Sequence, residues 1–341
     1  IKPIEHLVYR RIAEIFGEVT VTKGLNANAV GGLLHTKWKR FNRPMAIGLD
    51  ASRFDQHVSV DMLRWEHSVY CSMYGEDPRL AKLLSWQLEG RLYGRTAGSV
   101  IKAYHYGGRM SGDMNTALGN CMIMCGLVYA YFTSVGLTVR DYSLVNNGDD
   151  CVVVCEAHNR NKFRGLKAWF LNLGFTMKVE KPVYCLEDIE FCHGHPVDDG
   201  VQYVMVRNVM ASLAKDVLSV KSIRNRNDWL VARKAIAECG LALAGNIPIV
   251  GAYYRSLLRG AEMARRERWT EETGMTFLAR GMSAGSVVTD AARVSFFKAF
   301  KYPPQRQLAL ETMYNSLKLH WDNPPPADVF MSTPELVNFS L

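Results

Sequence analysis

A chain of 341 residues, 48% apolar and 22% charged, has the composition of a globular protein and excludes the disordered and collagen-like classes. At that length a single hydrophobic core rarely suffices, so two or three lobes are expected. The net charge of +8 suits a polyanionic partner.

Ile4, Leu7, Val8, Ile12 and Ile15 recur at helical spacing over residues 3–16, with Pro3 in the first turn. The chain begins inside this pattern, which predicts a longer parent polypeptide. Gly24, Asn26, Asn28, Gly31 and Gly32 then read as a loop. It leads to Lys37-Trp38-Lys39-Arg40-Phe41 and Arg43, where cations alternate with aromatics. That mixture suits nucleic-acid phosphates and bases, and equally suits a solvated face. Met45–Asp50 reads as a short apolar strand ending on a carboxylate. Asp55 follows five residues on, and Val58, Met62, Trp65 and Val69 set up a helix. A strand end that turns into a helix is a common place for a metal ligand.

Residues 75–100 read as an excursion, with a helix around Arg79–Glu89 and a Gly/Arg loop over Gly90–Gly98. Glycines 107, 108 and 112 make a loop able to approach a ligand, opening a helix through Cys121–Phe132. Thr116 and Asn120, four apart, share a face of that helix. Capping can explain Ser111 or Asp113 but not Asn120, which lies inside an apolar helix and needs a partner. The run Cys121–Phe132 is too short to span a bilayer, so a buried helix is expected. No signal peptide is visible.

Tyr142–Val154 reads as two apolar strands around Asn147-Gly148, a strong hairpin signal. Asp149 and Asp150 leave this turn side by side. Two adjacent carboxylates beside an apolar strand repel each other unless a cation joins them. Mg²⁺ and Mn²⁺ favour such oxygen donors. Beyond the hairpin, Asn161–Leu173 is helical, Phe175–Val179 is a strand, and Ile189–Gly194 with Val201–Val206 forms a further hairpin. From about residue 207 helices dominate: Asp228–Leu243, Pro248–Arg268, Thr289–Phe300 and Pro304–Leu319. Arg255, Arg259, Arg265, Arg266 and Arg268 give the second a basic band, and Asn323–Pro326 reads as an extended tail.

The eight cysteines include no CxxC pair, and Cys121/Cys125 and Cys151/Cys155 read as buried thiols in a reducing compartment. Cys185, Cys192, His193 and His195 cluster loosely but match no closed zinc spacing.

If the hairpin pairs beside the Asp50 strand, Asp50, Asp149 and Asp150 face one pocket. That is the two-metal device for in-line phosphoryl transfer, on a sheet with helices on one face. At this point Gly48-Leu49-Asp50-x4-Asp55, Ser111-Gly112-Asp113-x-Asn115-Thr116-x3-Asn120 and Gly148-Asp149-Asp150 resemble motifs A, B and C of viral RNA-dependent RNA polymerases. The longer strings around them are similar to those of the tombusvirus family of plus-strand plant viruses. Phe175–Lys181 resembles motif D, and Phe191-Cys192-His193 resembles motif E.

The resemblance implies an α+β right-hand polymerase with an RRM-like antiparallel palm sheet backed by helices, partial fingers and a helical thumb. It implies a fingers-related segment over 1–44, palm over 45–74, a fingers insertion over 75–106, palm over 107–206, and thumb with tail over 207–341. Asp50, Asp149 and Asp150 would hold two Mg²⁺ or Mn²⁺ ions, Asp150 in a supporting role. Arg53, Asp55, Ser111, Thr116 and Asn120 would bind the NTP, with Asp55 and Asn120 sensing its 2′-hydroxyl. Lys181, or else Lys178, would be the general acid. Lys37, Lys39, Arg40, Arg207 and Lys215 would contact RNA template and product. The family's basic motif F is missing and is expected upstream. A viral auxiliary replication protein is an expected partner. The expected location is replication complexes on host membranes in the infected cytoplasm, with any anchor lying in missing sequence or in the partner. Asn120 and Gly148-Asp149-Asp150 argue against a reverse transcriptase, and the intact aspartates argue against a degenerate RNA-binding scaffold.

Overall fold

The computed structural model describes residues 1–218, 221–266, 275–283 and 285–321. The chain divides into two compact units, Ile1–Arg207 and Asn208–Leu341. The fold is mixed helix and sheet, and every paired strand is antiparallel.

In the first unit α1 (Glu5–Phe16) is followed by α2 (Ala27–Lys39). The Gly/Asn-rich segment expected as a loop is therefore mostly helix. Asn26 caps it, its side chain accepting the Ala29 amide at 2.9 Å. Gly31 is there for close approach, since a Cβ would stand 2.4 Å from the Tyr203 carbonyl oxygen. β1 (Pro44–Ala51) leads through the single turn α3 (Phe54–His57) to α4 (Val60–Met73) and α5 (Pro78–Ser85). The helix expected to reach Glu89 stops at Ser85. Beyond it β2 (Glu89–Arg95) and β3 (Val100–Tyr106) form an exposed hairpin where a Gly/Arg loop was expected. Alternating Tyr, Leu, Val and Ile residues give these strands their β preference despite the glycines.

α6 (Thr116–Ser134) is the expected buried helix, extended to 19 residues. It is long and apolar enough to cross a membrane, but 67% of that stretch is buried in the protein. Then come β4 (Tyr142–Asn146), β5 (Asp150–Glu156), α7 (Leu166–Asn172), β6 (Met177–Val179), β7 (Gly194–Asp198) and β8 (Tyr203–Arg207). The last hairpin starts at Gly194 rather than Ile189.

The central sheet runs β4-β5-β1-β6. Strand alternation sorts its side chains into two layers. Ile47, Leu49, Leu144, Cys151 and Val153 join the helical core with α1, α6 and α7. Ala46, Val145, Val152 and Val154 pack with Leu34 of α2, Leu186 and Phe191. Both faces are thus covered, where helices on one face alone were expected.

The second unit is helical: α8 (Val209–Lys215), α9 (Arg226–Ala244), α10 (Val250–Leu258), α11 (Met275–Leu278), α12 (Asp290–Phe300) and α13 (Pro304–Ser316). α10 packs between α9 and α13. The helix expected over Pro248–Arg268 ends at Leu258, so the basic band is not one helical stripe. Arg255 instead binds the Gly245 carbonyl and Arg259 the Leu317 carbonyl. Arg268 and Asn323–Pro326 lie outside the described residues.

Candidate active site

The register Asp50↔Asp150 places these carboxylates opposite each other at the β1/β5 sheet end, and Asp50↔Lys178 continues the row onto β6. Cross-strand partners share a face, so Asp50, Asp150 and Lys178 lie on the side of Val152 and Val154. The hairpin turn is one residue further along than Asn147-Gly148 suggested. Asn147 donates its amide to the Asp150 carbonyl at 2.9 Å, so Gly148 and Asp149 are the turn's centre. Gly148 has φ +102°, which a tight hairpin turn reserves for glycine. Buried Asn146 brackets the turn from inside, donating to the Gly148 carbonyl at 2.7 Å and accepting its amide at 3.1 Å.

Asp150 is latched from a second element. Its Oδ2 accepts the Cys192 amide at 2.7 Å, while Cys192 Sγ accepts from Asn147 Nδ2 at 3.0 Å. Cys192 and His193 are both left-handed, with φ of 50° and 59°, and form the tight turn between Phe191 and Gly194. Left-handed backbone at non-glycine residues costs about 1–3 kcal/mol each and persists only where packing enforces it. Burial raises the Asp150 carboxyl above the usual aspartate value. The Cys192 amide and thiol pull it down, and the charges of Asp50 and Asp149 raise it again. Negative charge gathered around the Asp150 carboxyl is what a divalent cation would offset. All-oxygen donors fit Mg²⁺ or Mn²⁺. Among the described residues no three His, Cys, Asp or Glu side chains stand in metal-holding geometry. The convergence expected of Asp50, Asp149 and Asp150 is therefore incomplete: Asp149 sits on the turn tip and one Asp150 oxygen serves Cys192. The zinc reading of Cys185, Cys192, His193 and His195 finds no such cluster either. Cys185 bonds Glu187, and the His195 ring donates to the Glu187 carbonyl at 3.0 Å.

Beside the turn is a cleft of about 400 Å³ lined by Lys23, Asp55, Ser111, Thr116, Asn120 and Asp149, among others. Asp55 Oδ1 accepts Asn120 Nδ2 at 2.8 Å and its Oδ2 accepts the Ser111 hydroxyl. Thr116 donates to the Met110 carbonyl at 2.9 Å, closing the loop that carries Ser111. With its NH₂ donating to Asp55, Asn120 leaves Oδ1 buried with no hydrogen-bond partner among the described residues. An unpaired buried acceptor costs about 1–3 kcal/mol, which a ligand hydroxyl would relieve.

The loop is held from below by a network the sequence did not announce. Glu66 of α4 and Arg109, both fully buried, pair directly. Glu66 Oε1 also accepts from Asn115 at 2.6 Å and from Tyr70 at 2.8 Å. The Arg109 amide donates to the Asp55 carbonyl at 2.7 Å, tying the loop to the aspartate. Lys23 was also missed. Its only sequence signal was a cation in a Gly/Asn-rich segment, and the Thr22 amide's bond to the Asn146 carbonyl at 2.9 Å brings it here.

Other expected residues are placed differently. Asp50, Asp150, Arg53 and Lys181 do not line the cleft. Arg53 is exposed, left-handed at φ 51°, at the start of α3. Lys178 lies 3.3 Å from Glu180, whose carboxylate raises its pKa. Lys181 is exposed just past β6. Lys37 is corrected: its side chain is 1% exposed and its ammonium lies 2.7 Å from Glu18, so it cannot reach RNA. Arg40 is corrected likewise. Its guanidinium is engaged by the Val139 and Arg140 carbonyls and by Ser143 Oγ, docking α2 to β4. Lys39, in contrast, is exposed. Arg207 ends β8 half-buried, and Lys215 is exposed at the end of α8.

Opposed aspartates on an antiparallel sheet thus stand beside a polar cleft whose buried Asn120 acceptor has no partner among the described residues. Residues 1–322 match the family described as viral RNA dependent RNA polymerase, and the chain belongs to that family. It is 42% identical over 316 residues to the RNA-directed RNA polymerase of cucumber necrosis virus, covering 91% of this chain and 38% of that protein. To the RNA-directed RNA polymerase of tobacco necrosis virus (strain A) it is 40% identical over 342 residues, covering 98% and 46%. To that of turnip crinkle virus it is 41% identical over 334 residues, covering 94% and 42%. The chain thus spans less than half the length of these relatives. The resemblance to tombusvirus-type polymerases holds across the whole matched region.

Proposed function

We propose that this chain carries the catalytic centre for template-directed RNA synthesis, transferring nucleotides from NTPs to an RNA 3′-hydroxyl to replicate a plus-strand viral genome. One observation carries the reading: the Asp55–Ser111–Asn120 network and Asp149 line one cleft, next to the facing Asp50 and Asp150. Asp50 and Asp149 would hold two Mg²⁺ or Mn²⁺ ions, with Asp150 supporting from its Cys192 latch. When bound, these ions would lower the pKa of the attacking hydroxyl and stabilise the leaving pyrophosphate.

The chain's own residues do the rest. Asn120 Oδ1 accepts the ribose 2′-OH while Asp55 fixes the amide's orientation. Ser111 and Thr116 hold the loop against Asp55. Arg53 turns toward the triphosphate on substrate entry. Lys181 protonates the pyrophosphate, since Glu180 engages its competitor Lys178. In this reading the sheet with α4, α6 and α7 is a palm, β2–β3 belongs to fingers, and the helices after residue 207 form a thumb. Lys39, Arg207 and Lys215 then contact template and product.

By the family resemblance alone, the proposal extends to work on host-cell membranes in the infected cytoplasm, beside an auxiliary viral protein. Primer extension with NTPs and Mg²⁺ or Mn²⁺ tests the proposal, using this chain and a longer polypeptide that contains it. Asp149→Ala should abolish extension; equal activity in parent and variant would overturn the assignment.

A further inference from the structure

The second unit holds a cleft of about 610 Å³ that plays no part in the chemistry above. Arg226, Trp229 and Arg233 of α9 line it with Arg259, His320 and Trp321, and among the described residues no acidic side chain lines it. The Trp229 and Trp321 rings stand 5.7 Å apart, tilted by 51°. The Arg233 guanidinium lies 4.3 Å over the Trp229 ring. It is fixed from behind, donating to the Leu257 carbonyl at 3.0 Å and the Arg259 carbonyl at 2.7 Å. Arg259 in turn donates to the Leu317 carbonyl at 2.9 Å, holding the segment after α13 against this wall. Arg226, on the first turn of α9, is exposed and makes no ion pair among the described residues.

Arg233 covers one face of Trp229 and holds it in place, so Trp321, with Trp229 beside it, offers the stacking surface for a flat, electron-rich ring, and the guanidinium of Arg226 offers a fork to a phosphate. Bases inside a duplex have both faces covered by their neighbours. Only an unpaired base can use such faces. We propose that this cleft binds one unpaired nucleotide, with its base stacked on Trp321 and Trp229 and its phosphate at Arg226. The nucleotide is either a free nucleoside triphosphate or an unstacked position of an RNA strand. This inference rests on no part of the polymerase reading.

The test uses the 341-residue chain in EDTA, so that binding through divalent ions plays no part. Fluorescence anisotropy follows a labelled uridine-rich single strand, a duplex of equal length, and displacement of the strand by ATP. 4-Thiouridine cross-links, mapped by mass spectrometry, locate the contact. Trp321→Ala, at a half-buried position, and Arg226→Ala, at an exposed one, should each weaken single-strand binding by about fivefold to a hundredfold. Duplex binding should not change, and cross-links should fall on Trp229 or Trp321. Displacement by ATP that Trp321→Ala abolishes assigns the site to free nucleotides. Failure of ATP to compete while the strand still needs Trp321 assigns it to RNA. Undiminished strand and ATP binding in both folded variants would overturn the proposal, as would cross-links confined to residues 1–207.

Discussion

Asn120 donates to Asp55 across 65 residues of sequence, at 2.8 Å, and so leaves its own carbonyl oxygen buried with no partner among the described residues. A site that leaves an acceptor waiting discriminates strongly against a ligand lacking the matching hydroxyl. Asp55→Ala or Asn120→Ala should lower the NTP-over-dNTP ratio of kcat/KM by roughly tenfold or more. Single-nucleotide incorporation with matched NTP and dNTP pairs measures this. An unchanged ratio would remove the sugar-sensing role.

The raised Asp150 carboxyl makes stability depend on pH without metal. Its folded pKa lies above the unfolded value because of burial and then Asp50 and Asp149, so the folded state favours the protonated form. The associated stability is present below about pH 4 and is lost as pH rises through the folded value. Added Mn²⁺ should therefore stabilise the protein more at neutral than at acid pH, and Asp150→Asn should flatten the dependence. Urea denaturation over this range, with EDTA or Mn²⁺, reads both effects.

Lys181 and Lys178 separate by their neighbours. Glu180 holds Lys178, whereas Lys181 stands clear of the strand. Lys181→Met should slow single-turnover nucleotide addition about 10²-fold and alter its pH profile, with Lys178→Met costing far less. A larger loss at Lys178 would reverse the assignment.

Arg109 and Glu66 are both fully buried, so removing one strands the other. Arg109→Met should destabilise the first unit by about 3–5 kcal/mol, and adding Glu66→Gln should recover part of that. Thermal melts of the two variants decide the sign.

Burial pushes the Lys37 ammonium down to about 8, against the pull of Glu18. A lowered lysine contributes stability that is lost as pH falls through the folded value and grows toward the unfolded value near about 10.4. The advantage of the parent over Lys37→Met should therefore rise with pH in alkaline denaturation curves. Lys37→Met should leave the salt dependence of RNA binding unchanged, whereas Lys39→Ala should reduce its slope by about one.

Much of the sheet was legible because the apolar runs Met45–Leu49 and Cys151–Cys155 read as strands, but which residues face each other across them was not, and the register Asp50↔Asp150 came from the structure. The Asp55–Asn120 contact was foreshadowed by an amide inside an apolar helix. α2 was not legible, since its glycines read as a loop until β8 supplied a backbone to pack against. The same blindness hid β2–β3. Lys37 and Arg40 misled because charge patterning reports what a side chain carries and not which neighbour claims it. Glu66 and Arg109 are 43 residues apart and look like ordinary surface charges in one dimension.

The left-handed Cys192–His193 turn gives the acidic centre a control point outside its own sheet. Asp150 takes its bearing from a backbone amide 42 residues away, on a segment outside the central sheet. Substitutions in residues 191–194 could therefore retune ion preference and fidelity while every acidic residue stays intact. On the proposed reading, drift at this centre need not pass through its aspartates at all.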